Sequence, residues 1–353
     1  MKCHINKLLL LTALTLFSFP KVLASSPEKG EKFNAVELIM HHISDAHSWT
    51  IFKSEHVDIT LPLPIILWDE GNLSFFSSRE FQRENKVVTK SGTHFVLHHE
   101  KIYKTDSQGT IFLDDHGHPT NSRPLDLSIT KNVVGMWIAI AILLALFFSV
   151  ARKYRNVMVK PRGTQSLMEP LILFVRDDIA GEMIGKEKSA KYVPYLLTLF
   201  FFIWINNLLG LVPFFPGGAN VTGNIAITAL LSVITLLITN ISGSKSYWKH
   251  IVAPPGVPYW ITPLLVPVEI IGIFTKPFSL MMRLFANITA GHIIILSLLS
   301  IIFAVQSLAF APVSIILVVF MMVLELLVGF LQAFIFTMLT ALFIGLAVHE
   351  DSH

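Results

Sequence analysis

Two apolar stretches, residues 266–305 and 312–348, carry the few side chains that could do chemistry inside a membrane. Glu269, Lys276, Ser279, Arg283, Asn287 and His292 stand on the first, Glu325 and Gln332 on the second. An ionisable group in hydrocarbon costs about 2.5–3.5 kcal/mol on insertion scales, so each one marks a functional contact or an internal pairing. Glu269, Lys276 and Arg283 recur every seven residues. That spacing is two helical turns, and with Ser279 and Asn287 it predicts one polar stripe facing protein or water. His292 stands nine residues past Arg283. It is therefore about half a turn round and about 13 Å further along, which assigns it to a different cavity. On the second stretch Glu325 and Gln332 share a face at the same two-turn spacing, and a hairpin would let them approach Arg283 or His292.

The chemistry these groups suit is proton movement. A carboxylate and an imidazole serve as relays, and arginine serves as a fixed positive barrier because, unlike a buried lysine, it does not deprotonate. A partner carboxylate within about 4 Å of Arg283 would gain roughly 4 kcal/mol at an effective dielectric near 20. That exceeds the roughly 2.3 kcal/mol one charge gains across 100 mV, so the carboxylate stays charged as it passes and protons do not leak straight through. The plain alternative for Arg283 is a salt bridge with Glu325 that only braces a hairpin. Glu269 follows Pro267 and also fits a carboxylate favoured in the first turn of a helix. Ala286, Ala290 and Gly291 leave room for another helix beside the stripe.

Those residues need elements long enough to hold them. As single helices the two stretches would each be on the order of 55–60 Å long, against a hydrocarbon core of about 30 Å. Upright helices do not fit. With no turn cluster or charged loop in either, a steeply tilted hairpin is preferred to two broken pairs, with Pro277 as a candidate kink. Three further spans are predicted at 132–150, 192–212 and 224–242, giving about five membrane-crossing helices in an all-α polytopic protein. Residues 164–184 mix Leu and Ile with Glu169, Arg176, Asp177 and Asp178, the pattern of an interfacial amphipathic helix. Arg152, Lys153, Arg155, Lys160 and Arg162 follow the first span, which places that end in the cytoplasm and the preceding region in the periplasm.

Within the hairpin, the run from Thr275 to His292, TKPFSLMMRLFANITAGH, resembles the signature of subunit a of F-type ATP synthases, and 331–336, LQAFIF, resembles its second signature. The resemblance runs from about residue 37 to the end, weakly at His41 and His42 and at 203–213, strongly after 266. It implies that Arg283 meets the carboxylates of a rotating c-subunit ring, with Asn287 and Gln332 as polar neighbours. Glu325 and His292 would line a periplasmic half-channel and Glu269 a cytoplasmic one. It further implies b-type peripheral stalk subunits and the rest of the synthase as partners, no nucleotide chemistry in this chain, and a bacterial inner membrane with the C-terminus cytoplasmic. Some members of the family carry Glu at the position of His292 and His at that of Glu325, and this chain resembles the exchanged arrangement.

Composition agrees with a membrane protein. Of 353 residues, 53% are hydrophobic and 14% charged, and the net charge of +3 gives nucleic-acid binding no support. Residues 1–24 read as a signal peptide, with Lys2 and Lys7 ahead of a core too short to span. Residues 25–130 read as a small periplasmic region containing some β structure, with strands expected at 56–59, 93–98 and 110–113 and a turn at Asp106-Ser107-Gln108-Gly109. Residues 131–353 then form the membrane domain. The single cysteine, Cys3, excludes a disulfide framework within one chain. His41, His42, His47, His98, His99, His116 and His118 match no metal-ligand spacing and read as solvated surface groups, so neither metal nor cofactor is expected. Asn206 and Asn207, inside the second predicted span, are expected to satisfy each other or the backbone, with a place along the proton path as the second reading. A self-contained secondary transporter is the competing function, but such proteins show internal repeats and the chain has no matching halves.

Overall fold

The computed structural model describes residues 36, 39–40, 43–54, 57–81, 87–154, 163–212, 215–252, 260–305 and 311–349. The predicted signal peptide, His41 and His42 lie outside them. The chain divides into two units, Met1–Lys131 and Asn132–His353.

In the first unit, short alternating runs among the described residues form eight strands: β1 (Ser48–Ser54), β2 (Val57–Pro62), β3 (Pro64–Asp69), β4 (Asn72–Ser77), β5 (Val88–Lys90), β6 (Thr93–His98), β7 (Lys101–Thr105) and β8 (Leu125–Asp126). They pair as β1-β2, β4-β3-β8 and β5-β6-β7, all antiparallel. Ile65, Leu67, Phe76, Val88, Phe95 and Ile102 point into one small core, which is the period-two burial expected of half-covered sheets. Three hairpins turn on two residues that both have positive φ: Glu70-Gly71, Ser91-Gly92 and His99-Glu100. Such turns match the right-handed twist of the flanking strands.

Strands at 57–62 and 93–98 and the turn closed by Gly109 N–H to the Asp106 carbonyl at 3.2 Å answer to the pattern in the sequence. Residues 110–113 do not form a strand. They carry only an isolated bridge between Leu113 and Pro119, because Asp106 and Asn121 side chains take up the local backbone N–H groups instead. His47 is also not a surface group: it is 3% exposed, and its Nε2 lies 2.7 Å from Asp126 Oδ2.

The second unit is helical. α1 (Lys131–Tyr154), α3 (Val193–Leu211), α6 (Thr262–Val305) and α7 (Ala311–Val348) are each long and apolar enough to cross a membrane. α4 (Ile225–Ile241) bends by 101° into the short α5 (Lys245–Val252), and this bent pair counted as one span makes five among the described residues. At 44 and 38 residues, α6 and α7 are about 66 and 57 Å long and run unbroken. The segment before α3 starts as α2 (Thr164–Leu173) and loosens into π-helical turns over Phe174–Gly181. Val175, Ile179 and Ala180 are buried there while Arg176, Asp177 and Asp178 are exposed, so the segment is amphipathic along its length.

One buried row decides how α6 sits. Leu280, Leu284, Ile288, His292, Leu296 and Ser300 follow at intervals of four, all buried, and form the ridge that packs inward. α7 supplies Ala333, Phe336, Ala341 and Ile344 to the same core, and α3 supplies Leu196, Phe200, Phe201 and Ile203. On α4 the buried row is hydroxylic, Thr228, Ser232, Thr235 and Thr239. Thr228 and Ser232 donate to carbonyls of their own helix, which satisfies their donors in a dry setting.

Candidate functional site

One residue round from that ridge lies a second row of α6, Ser279, Arg283 and Asn287, with Lys276, Ala286 and Ala290 beside it, and every one of these is exposed. The guanidinium of Arg283 forms no hydrogen bond or ion pair among the described residues. The brace between Arg283 and Glu325 is therefore not formed. Lys276 lies over the Phe343 ring at 5.8 Å, a contact that offsets part of the cost of an ammonium on an apolar helix. Glu269 is half-buried.

The helical row explains why His292 parts from Arg283. His292 continues Leu284 and Ile288 inward, and there it meets Glu325 of α7, with Nε2 to Oε1 at 3.9 Å. Both are almost fully buried, at 9% and 5% exposed. Gly291 makes the approach possible: a Cβ at that position would stand 2.6 Å from Glu325 Oε1. Here the small residue serves a contact within the chain, whereas Ala286 and Ala290 stay on the open face. Gln332 is buried two turns further along α7, and among the described residues Arg283 has neither a hydrogen bond to it nor an ion pair with Glu325.

Two separate clefts flank this arrangement. The first is lined by Asn206, Asn207, Gly210, Asn220, Thr222, Ile288, His292 and Glu325, among others. Asn207 is fixed at both ends of its amide, donating to the Gly329 carbonyl at 2.8 Å and accepting from Thr222 Oγ1 at 2.6 Å. Asn206 donates to the Phe202 carbonyl at 2.7 Å. The two asparagines thus bond to backbone and to Thr222 rather than to each other. Asn220 and Thr222 are absent from the residues that the sequence singles out. They sit in a loop that looks like an uncharged connection, and only the return of that loop against α3 and α6 brings them to the cleft. The second cleft lies around Thr235, Thr239, Asn240, Tyr247, Lys276 and Phe343. Its polar lining includes the Tyr247 hydroxyl, which donates to Asn240 Oδ1 at 3.2 Å. Arg283 lines neither cleft. Among the described residues no three His, Cys, Asp or Glu side chains converge as metal ligands would.

Comparison with known proteins follows the same division of the chain. A family model described as ATP synthase A chain matches residues 133–345, and one described as a domain of unknown function, DUF8433, matches residues 38–127. The chain is 47% identical over 235 residues to ATP synthase subunit a of Chloroherpeton thalassium, a match covering 65% of this chain and 69% of the relative. It is 46% identical over 239 residues to ATP synthase subunit a of Myxococcus xanthus, covering 65% of this chain and 77% of the relative. The corresponding protein of Chlorobium phaeobacteroides is 50% identical over 236 residues, with 65% and 68% covered.

Proposed function

The chain belongs to the ATP synthase A chain family, and we propose that it moves protons through two offset half-channels that meet the carboxylates of a rotating c-subunit ring at Arg283. The observation that carries this reading is an exposed guanidinium, unpaired among the described residues, on the open face of α6, with a cleft that includes polar side chains to either side of it along the helix. A permanent charge on an apolar helix costs free energy unless something meets it, and here nothing within the described chain does. A carboxylate carried past on a neighbouring helix would meet it, and Ala286 and Ala290 leave that helix room.

In this mechanism His292 and Glu325 relay protons in the periplasmic half-channel. Glu269 serves the cytoplasmic one, and Asn287 and Gln332 are polar neighbours of the crossing point. A proton enters through one cleft, neutralises a ring carboxylate and leaves through the other after rotation. Arg283 keeps the carboxylate facing it charged, which blocks direct passage between the clefts. The b-type stalk would hold this chain still while the ring turns, and nucleotide chemistry belongs to the soluble head. Arg152 and Lys153, in the last turn of α1, support a cytoplasmic end for that helix. They fit a bacterial inner membrane with the first unit periplasmic and the C-terminus cytoplasmic.

The test is Arg283→Ala in the assembled complex. ATP-driven proton pumping is expected to vanish while the soluble head still binds and hydrolyses nucleotide. Normal pumping by that variant would overturn the assignment.

A further inference from the structure

We propose that the outer face of the sheet β4-β3-β8 rests on the lipid headgroups of the bilayer where α1 begins, so that the first unit is a membrane-surface module. The proposal concerns a surface that the proton path does not use, and it stands apart from that path. Along β3 the side chains alternate: Ile65 and Leu67 join Phe76 of β4 in the core, and Ile66 and Trp68 point the other way. An antiparallel sheet usually turns polar side chains to water on that second face. This one does not.

Strand register fixes what surrounds them. Trp68 stands opposite Leu73 of β4 and Leu125 of β8, and Ile66 stands opposite Phe75 of β4. Just past β8 the Leu127 N–H donates to the Ile66 carbonyl at 2.9 Å, continuing the same register. Two cross-strand rows result, Leu73-Trp68-Leu125 and Phe75-Ile66-Leu127, and every member except the half-buried Ile66 is half exposed or more. Cross-strand neighbours lie about 5 Å apart, so the six side chains form one apolar patch. Monomeric soluble proteins rarely leave such a patch bare.

Continuity of the chain names the occupant. Beyond Leu127 the Ile129 N–H donates to the Pro64 carbonyl at 3.1 Å and the Lys131 N–H to the Ala46 carbonyl at 2.9 Å. Lys131 is also the first residue of α1, so no slack linker separates the sheet from a helix long and apolar enough to cross a membrane. Leu127 and Leu125 precede Lys131 by four and six residues, which holds them within about 14 and 20 Å of it even in extended chain. The sequence carries no charge from Val133 to Ala151, so the hydrocarbon boundary lies close to Lys131. Apart from the indole of Trp68, no side chain of the patch can hydrogen-bond, whereas a specific protein partner would use about one hydrogen bond per 100–200 Å². A leucine-rich face with one tryptophan instead suits the headgroup level, where that ring is favoured. Depth is limited as well: β4 and β8 end the sheet among the described residues. Their open backbone groups need water or headgroups, which keeps the face at the boundary and out of the hydrocarbon.

A nitroxide label tests this in the intact complex, otherwise free of cysteine and reconstituted in phosphatidylcholine vesicles. It is placed on Phe75→Cys, on Leu125→Cys and, on the sheet across the core, on Lys101→Cys; all three positions are exposed and tolerate substitution. At 75 and 125 the ratio of collisions with dissolved oxygen to collisions with a water-soluble nickel chelate should be several-fold higher than at 101. Nickel access equal to that at 101 would mean a face open to water, and low access to both reagents would mean a protein partner. Either result overturns the proposal. A second variant separates docking from mere nearness to the membrane: with Leu73→Glu and Phe75→Glu added, the ratio at 125 should fall to that at 101. An unchanged ratio would show that the apolar face does not hold the unit to the lipid, and would also overturn it. If the doubly charged complex does not assemble, the ratios at 75 and 125 in the uncharged one decide.

Discussion

Two adjacent rows on the same helix handle polarity inside the membrane in opposite ways. The row through Ser279, Arg283 and Asn287 is exposed and leaves its charge unpaired within the described chain, whereas the row through Leu284, Ile288 and His292 is buried and brings His292 against Glu325. The rows are one residue apart, about 100° round the helix, and a single step in sequence decides which kind of partner a polar group finds. An enclosed imidazole can find its carboxylate neighbour by folding alone. An exposed guanidinium cannot, and its partner has to come from another chain.

Substitutions on the two rows should therefore separate function from folding. The largest effect is expected at Arg283: replacement by alanine abolishes pumping, yet it should leave the thermal stability of the detergent-purified chain within about 0.5 kcal/mol, as exposed substitutions usually do. A marked loss of stability would mean that Arg283 is part of the internal packing after all. Gly291→Val stands next. Its side chain would collide with the Glu325 carboxylate, so the purified chain should lose about 1–3 kcal/mol to overpacking and the complex most of its pumping. If its unfolding curve overlaid the parent's, the tight approach of α6 and α7 would not be real.

A smaller and more specific effect is expected from exchange within the enclosed pair. His292→Glu combined with Glu325→His keeps one acid and one imidazole in the cleft, and should conduct protons better than either single change to alanine. Equal loss in all three variants would remove the shared relay.

The smallest effect lies outside the membrane unit. Burial pushes the Asp126 carboxyl up, but hydrogen bonds from His47 and Ser128 outweigh it and hold the group below its ordinary range. A carboxyl depressed in the folded state adds stability that is present above its unfolded value, near 3.9, and is lost as pH falls through the lower folded value. Hydrogen exchange at Leu127 N–H, which bonds to the Ile66 carbonyl, should therefore quicken relative to its intrinsic rate in that acidic window. In Asp126→Asn the dependence should flatten while pumping is unchanged. A parent whose exchange is insensitive to acid would show that the His47–Asp126 contact contributes nothing to holding β8.

Much of the membrane unit was legible because its signals are local. Two apolar runs of unbroken composition gave α6 and α7 as whole helices, and the amphipathic mix at 164–184 gave a helical segment short of a span. Hairpins at Glu70-Gly71 and Ser91-Gly92 carried a turn signal of the same kind, a glycine at a position of positive φ, and could have been found from it. His99-Glu100 has no such glycine. The π-helical turns at Phe174–Gly181 likewise have no glycine or proline at their start to mark them in the sequence.

By itself the sequence determined the periodicities: which segments are helices long enough to span, which residues share a row, and that a few charged groups stand where hydrocarbon would penalise them. Only the tertiary structure decided that His292 meets Glu325 while Arg283 stays open, that Gly291 rather than Ala290 admits the carboxylate, and that Asn220 and Thr222 return from a loop to line the cleft. The reason is physical. A row on a helix follows from bonds between residues four apart, while the partner it meets depends on how far α6 and α7 slide and rotate past each other, which packing over the whole core settles.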